Sequence, residues 1–201
     1  MISVYKIKPY FQKTLMPILH VLHQKRITAN QITVFAILFS FILAILFWYA
    51  DSYHFFFLCL PIGLLIRMAL NALDGMMARL YNQTSKKGEL LNEVGDVLSD
   101  FILFIPLVKF QPESTYLIVL FIGLSIINEF AGLMGKILSG DRRYDGPMGK
   151  SDRALVLGIY GLLLFFHIDL SRASFYIFIV INLLLVVSTI TRCRKALKNA
   201  Q

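Results

Sequence analysis

Apolar residues dominate six long stretches of this chain, at residues 33–50, 55–73, 90–108, 116–134, 154–166 and 173–190. The first holds no charged residue. As a helix it rises about 27 Å, close to the thickness of a bilayer's hydrocarbon core. Trp48 and Tyr49 close it where an aromatic belt would lie. The pattern predicts an all-α membrane protein with six transmembrane helices, the fifth shorter than the rest. Residues 1–30 read differently. Val4, Ile7, Phe11, Leu15, Ile18 and Leu22 recur every three or four positions, with Lys6, Lys8, Lys13, Lys25 and Arg26 among them. That period predicts an amphipathic helix, lying on the membrane interface or packed on the rest of the protein. Pro9 and Pro17 are expected to break it into pieces.

Composition supports the membrane reading. The 201 residues are 57% hydrophobic, too apolar for a soluble domain of this size. One membrane domain over residues 1–201 is the simplest organisation: an interfacial segment (1–30), a six-helix bundle (33–190) and a basic tail (191–201). The formal charge of +8 would suit nucleic acid, but its placement excludes that partner. Lys and Arg cluster in residues 1–30, at 79–87, at 136–153 and in the tail, all on one side of a six-span layout. Lys109 and Arg172 are the two on the other side, and Arg67 lies within a span. The positive-inside rule then makes both termini and the 79–87 turn cytoplasmic. Cys59 and Cys193 are too far apart in sequence and depth for a disulfide framework, and the four histidines show no metal-ligand spacing. The first thirty residues carry no cleavable signal pattern.

The chemistry concentrates between Asn71 and Asp100. Arg67, Asn71, Asp74 and Ala78 share one face of a helix, and Gly88, Asn92, Asp96 and Asp100 repeat every four residues on another. A charge at the centre of a span costs about 2.5–3.5 kcal/mol on insertion scales, so such residues need a compensating use. Ion pairing of Arg67 with Asp74 or Asp100 is one use. A reaction centre is the other. Carboxylate oxygens hold hard divalent cations, which neutralise a diphosphate. Glycine and alanine let a ring or phosphate approach the backbone. Arginine can fork onto phosphate oxygens, and a nearby carboxylate can take the proton of an attacking hydroxyl.

Asp74-Gly75-x-x-Ala78-Arg79, eight residues, Gly88, three residues, Asn92, three residues and Asp96 resembles the signature of the CDP-alcohol phosphatidyltransferases, D-x-x-D-G-x-x-A-R-x8-G-x-x-x-D-x-x-x-D. Length and layout are similar over nearly the whole chain. The resemblance implies a bacterial inner-membrane enzyme of phospholipid biosynthesis with a cytoplasmic active site. It would move a phosphatidyl or related phospho group from a CDP-linked donor, CDP-diacylglycerol by default, to an alcohol, releasing CMP. It further implies Mg²⁺ or Mn²⁺, one or two ions, and a homodimer. Carried over by position, Asp74, Gly75, Ala78, Arg79 and Gly88 would bind the CDP moiety. Asp74, Asn71, Asn92 and Asp96 would be metal ligands, with Asp96 also the catalytic base.

This chain departs from the pattern at two of its four aspartates. Asn71 and Asn92 stand in their place, so the quartet's formal charge falls from −4 to −2. An amide oxygen ligates a hard cation more weakly, which makes a single-ion site plausible. Asp100, one turn beyond Asp96, is the better candidate to restore charge, ahead of Glu93. The second polar loop, residues 140–153, carries Arg142, Arg143, Lys150 and Arg153, which would suit a phosphorylated acceptor or simply be positive-inside charge. Asn128 reads as helix cement, Glu129 as either that or a cavity residue, and Arg192 as part of the tail without a role. The two asparagines also keep open a catalytically inactive relative that binds nucleotide lipid or a partner enzyme. A small transporter with an acid relay has only Asp100 and Glu129 in its favour.

Overall fold

The computed structural model describes residues 8–199. Val4, Lys6 and Ile7 of the expected N-terminal helix lie outside the described residues. Eight α-helices follow in order: α1 (Lys8–Gln24), α2 (Ala29–Trp48), α3 (Cys59–Leu80), α4 (Lys86–Phe104), α5 (Pro106–Phe110), α6 (Thr115–Ser139), α7 (Lys150–Phe165) and α8 (Ser171–Asn199). Two 3-10 turns, His54–Leu58 and Pro112–Ser114, lead into α3 and α6. No strand occurs among the described residues.

Among the described residues, four helical stretches are long and apolar enough to cross a membrane: Ala29–Trp48, His54–Leu80, Pro112–Ser139 and Ser171–Asn199. The expected third and fifth spans differ from these for physical reasons. The third stops short of Val108, because the helix ends at Phe104 and Pro106 opens the separate five-residue α5. Proline has no N–H to continue the ladder, so it sits naturally at a helix start. Its helix, α4, also carries Lys86, Lys87, Glu89, Glu93, Asp96 and Asp100. The fifth, α7, has 16 residues, about 24 Å of helix.

Pro17 does not break α1, contrary to the expectation from sequence; it lies inside a continuous helix. Only the bond to the Lys13 carbonyl is lost, and Leu15 and Leu19 on either side are buried against Ala29, Ile32, Leu73, Met76 and Met77. Pro9 sits in the first turn of α1, where N–H groups have no intrahelical partner anyway. α1 is therefore packed on the protein along one face, while Tyr10, Ile18 and Val21 remain exposed on the other. Its end is tied to the end of α3: the Tyr81 hydroxyl and His20 Nδ1 are 2.9 Å apart, and His23 stacks on the Tyr81 ring at 3.5 Å.

The described chain divides at Leu103 and Phe104 into two compact units. In the first, α2 starts at a capping box in which Thr28 and Gln31 satisfy each other's backbone N–H groups. α2 runs antiparallel to α3, meeting it through Thr33 and Asp74 near one end and Leu43 and Gly63 near the other. α4 lies along α2 through two glycines seven residues apart. Gly88 faces the Asn30 amide and Gly95 faces the Ile37 side chain, each so closely that a Cβ would overlap. Two turns of α4 thus match two turns of α2 in the same direction.

In the second unit, Phe104, Phe121, Phe178 and Tyr160 form an aromatic core. α6 and α8 pack along each other, cross-linked where the Asn182 amide donates to the Leu117 carbonyl. The loop 140–149 folds back onto them. It leaves α6 through Gly140 at φ 80°, and Arg143 N–H donates to the Gly132 carbonyl. Gly146, at φ 93°, rests on the Ser188 backbone, 2.6 Å from where a Cβ would sit. The left-handed φ and the backbone contact both exclude a side chain. Gly146→Ala is expected to destabilise by about 1–3 kcal/mol, whereas Gly123→Ala, facing open space within α6, is expected to stabilise by up to about 1 kcal/mol. Thermal melts of purified variants in detergent check this.

Candidate active site

α3 extends two turns past the apolar stretch that announced it, through Leu80, and so carries Asn71, Asp74, Gly75, Ala78 and Arg79 on one unbroken helix. The turn that follows spans only residues 81–85. α4 then returns with its polar stripe toward α3. Arg67 Nη1 lies 2.6 Å from Asp100 Oδ1, and both side chains are nearly inaccessible. Arg67 Nη2 also donates to the Asp96 carbonyl at 3.3 Å. One turn on, the Asn71 amide donates to Asp96 Oδ1 at 3.2 Å. Four residues forward on α3 match four residues back on α4, the register of an antiparallel pair.

Asp74 is buried and held from α2: Thr33 Oγ1 donates to its Oδ2 at 3.0 Å, sharing that proton with the Ala29 carbonyl. Arg79 is exposed at the end of α3, with its guanidinium folded over Gly75, 3.4 Å from where a Cβ would be. Asn92 is half-buried. The structure thus joins Asn71 to Asp96 directly and places Asp74 on the same face of α3. It engages Asp100 with Arg67, so of the two uses weighed for Asp100 the ion pair is the one seen. Thr33 and Asn30, which the sequence did not single out, come into the site from α2. Their position at the start of a span was legible, but their partners depend on how α2 packs.

Among the described residues, no three His, Cys, Asp or Glu side chains group to hold a metal ion. The hard oxygen donors of Asp74 and Asp96, with neighbouring amides, suit a cation such as Mg²⁺. That ion commonly takes one or two carboxylates and completes its shell with water and substrate phosphates. A pair of ions caged by four carboxylates does not fit this residue set.

A second polar cluster lies in the other unit. Glu129 accepts from Arg142 Nη2 at 2.7 Å and Arg153 Nη2 at 2.9 Å, with Arg192 Nη1 at 3.9 Å. Three guanidiniums around one carboxylate leave net positive charge, and Arg153 and Arg192 are each 1% exposed. Arg143 pairs instead with Asp145 at 3.0 Å, as does Lys195 at 2.5 Å. Burial alone would raise the Asp145 pKa. The Lys195 hydrogen bond and the two nearby cations outweigh it and hold the carboxyl below its usual value. Lys150 opens α7 beside this cluster's loop and is half-buried. Asn128 is fully buried, taking Thr189 Oγ1 at 3.4 Å and, on its carbonyl, Arg192 at 2.6 Å; it does cement helices.

Arg192 is a correction. The sequence predicts a basic tail from residue 191, but α8 continues through Asn199. The signal was present: Phe178, Ile181, Leu185, Ser188, Arg192 and Ala196 are the buried positions of one helical stripe.

The pattern of the CDP-alcohol phosphatidyltransferase family matches residues 26–191. Inner membrane protein YnbA of Escherichia coli (strain K12) is 42% identical over 195 residues, covering 97% of this chain and 96% of that protein. An uncharacterized protein of Aquifex aeolicus (strain VF5) is 28% identical over 158 residues, 78% of this chain and 70% of that protein. Among solved structures, Mycobacterium tuberculosis phosphatidylinositol phosphate synthase (PgsA1), with CDP-DAG bound, has a TM-score of 0.69 at 20% identity, covering 92% of each chain. That likeness is one of fold. The chain belongs to the CDP-alcohol phosphatidyltransferase family.

Two outcomes follow from the geometry. Arg67→Ala strands a buried carboxylate and is expected to cost roughly 3–5 kcal/mol. Removing Asp100 as well recovers part of that loss, as a double-mutant cycle of melting curves would read. Arg192→Ala is expected to lower the melting temperature by several degrees, through lost carbonyl partners worth about 1–3 kcal/mol, while exposed Arg194→Ala leaves it unchanged.

Proposed function

We propose that this protein is an integral inner-membrane transferase that moves a phosphatidyl or related phospho group from a CDP-linked donor to an alcohol. CDP-diacylglycerol is the favoured donor, since a site within membrane helices admits a lipid laterally. The PgsA1 structure of like fold binds CDP-DAG, which supports this choice. The observation that carries the reading is the Asn71–Asp96 contact, which brings the two halves of the family signature face to face.

In this reading Gly75, Ala78 and Gly88 leave room for the nucleotide, and Arg79 forks onto its phosphates. Asp74, fixed by Thr33, and Asp96, with Asn71 and Asn92 beside them, would hold Mg²⁺ or Mn²⁺. The bound ion supplies neutralisation of the diphosphate and of charge on the transferring phosphoryl group. Asp96 accepts the proton of the acceptor hydroxyl. The acceptor oxygen forms a bond to the donor's lipid-side phosphorus, the bond from that phosphorus to CMP breaks, and CMP leaves. Asp100 acts with Arg67 as a structural pair. Arg142, Arg143, Lys150 and Arg153 suit the phosphate of a phosphorylated acceptor, an assignment supported by the positive charge gathered around Glu129. Counting α4 and α7 as further spans gives six. Both termini and the site then face the cytoplasm by the charge bias, and the protein works as a homodimer.

Purified protein with radiolabelled CDP-diacylglycerol, Mg²⁺ or Mn²⁺ and a panel of alcohols, glycerol phosphate and sugar phosphates among them, is expected to release CMP. Asp74→Asn and Asp96→Asn each reduce the rate by at least about 10²-fold. No CMP with any acceptor would refute the proposal. In that case the two asparagines favour the second reading, an inactive relative that binds nucleotide lipid. Asn71→Asp with Asn92→Asp would then create activity that the parent lacks.

A further inference from the structure

We infer that this chain holds one divalent cation rather than a pair, and that the Asn71 side chain stands in for the second ion in joining α3 to α4. The inference rests on the reading of Asp74 and Asp96 as cation ligands.

Charge is the first support. Asp74 and Asp96 bring two negative charges, and Asp100 is engaged by Arg67 at 2.6 Å. It therefore does not make up for the carboxylates missing at positions 71 and 92. One divalent cation balances the two carboxylates of the quartet; a second would find only the neutral amides of Asn71 and Asn92 left to hold it.

The Asn71–Asp96 hydrogen bond is the second support. An ionised carboxylate only accepts, so the amide turns its N–H to Asp96 Oδ1. Aspartate at position 71 would set two carboxylate oxygens against each other at this separation, an arrangement that requires a proton or a cation between them. Asn71 closes the same gap with its own N–H. The helix pair is therefore joined at this point before any ion binds.

Mn²⁺ titration of the full-length protein in detergent, after EDTA treatment, counts the ions through the electron paramagnetic resonance signal of free Mn²⁺. The parent is expected to bind one Mn²⁺ per chain, and the Asn71→Asp, Asn92→Asp double variant two. In EDTA the single Asn71→Asp variant should melt a few degrees below the parent, a shift of the size one lost interaction gives in a chain this long. Added Mn²⁺ should restore it. Two ions on the parent, or none, would overturn the inference, as would a double variant that still binds one. Where the double variant does not fold, the parent's count decides alone. The count is independent of turnover: two ions with CMP release defeats the single-ion site and leaves the transferase, while one ion without CMP release does the reverse.

Discussion

The fold of the first unit depends on how an arginine and three acids are accommodated in helices that are otherwise lipid-like. Arg67 is 3% and Asp100 5% exposed. Leaving either charge unpaired at such depth would cost several kcal/mol. Their pairing fixes the height of α4 against α3, and every other polar position on the two stripes then falls into place by helical period. Asn71 meets Asp96, and the Asp-Gly-x-x-Ala-Arg segment is delivered to the end of α3 near the turn. The ion pair contributes register more than net stability, because desolvation cancels much of its attraction.

The two units solve opposite electrostatic problems. In the first, carboxylates face each other's helices and are moderated by neutral donors: Thr33 on Asp74 and Asn71 on Asp96. In the second, guanidiniums are in excess and Glu129 is the anion that gathers them. Small residues make the gathering possible. Gly132 and Gly135 on α6 leave the volume into which the Arg143 backbone and side chain descend, so the 140–149 loop lies against the helices instead of standing off in solvent.

Much of this was legible in the sequence. The six apolar stretches correspond to α2, α3, α4, α6, α7 and α8, and the polar stripes on either side of the 81–85 turn do face each other. The ends of the helices were less legible. Polar residues at the ends of the second, fifth and sixth apolar stretches look like loop in the sequence, yet α3, α7 and α8 continue through them, because side chains such as Arg153 and Arg192 find carbonyl or carboxylate partners there. Hydropathy registers the polarity of a residue but carries no information about its partner. For the same reason the partners of Thr33, at the start of a span, and of Arg192, in the expected tail, are not legible from sequence. Pro17 was misread because the rule for proline concerns one hydrogen bond, whereas Leu15 and Leu19 hold α1 through side-chain packing.

The glycine contacts of α4 have a consequence for how the bundle assembles in the bilayer. A slip of α4 by one turn would set Arg67 beside Asp96 and Asn71 beside Asn92, leaving buried Asp100 without its arginine. Charge therefore already favours the observed alignment. Shape acts at the same height: Gly88 and Gly95 admit Asn30 and Ile37, and a one-turn displacement brings bulkier side chains to those two points. The glycines thus serve as a steric key that works on the α2 side of α4 while the ion pair works on its α3 side, so that two independent contacts exclude the same misdocking during insertion.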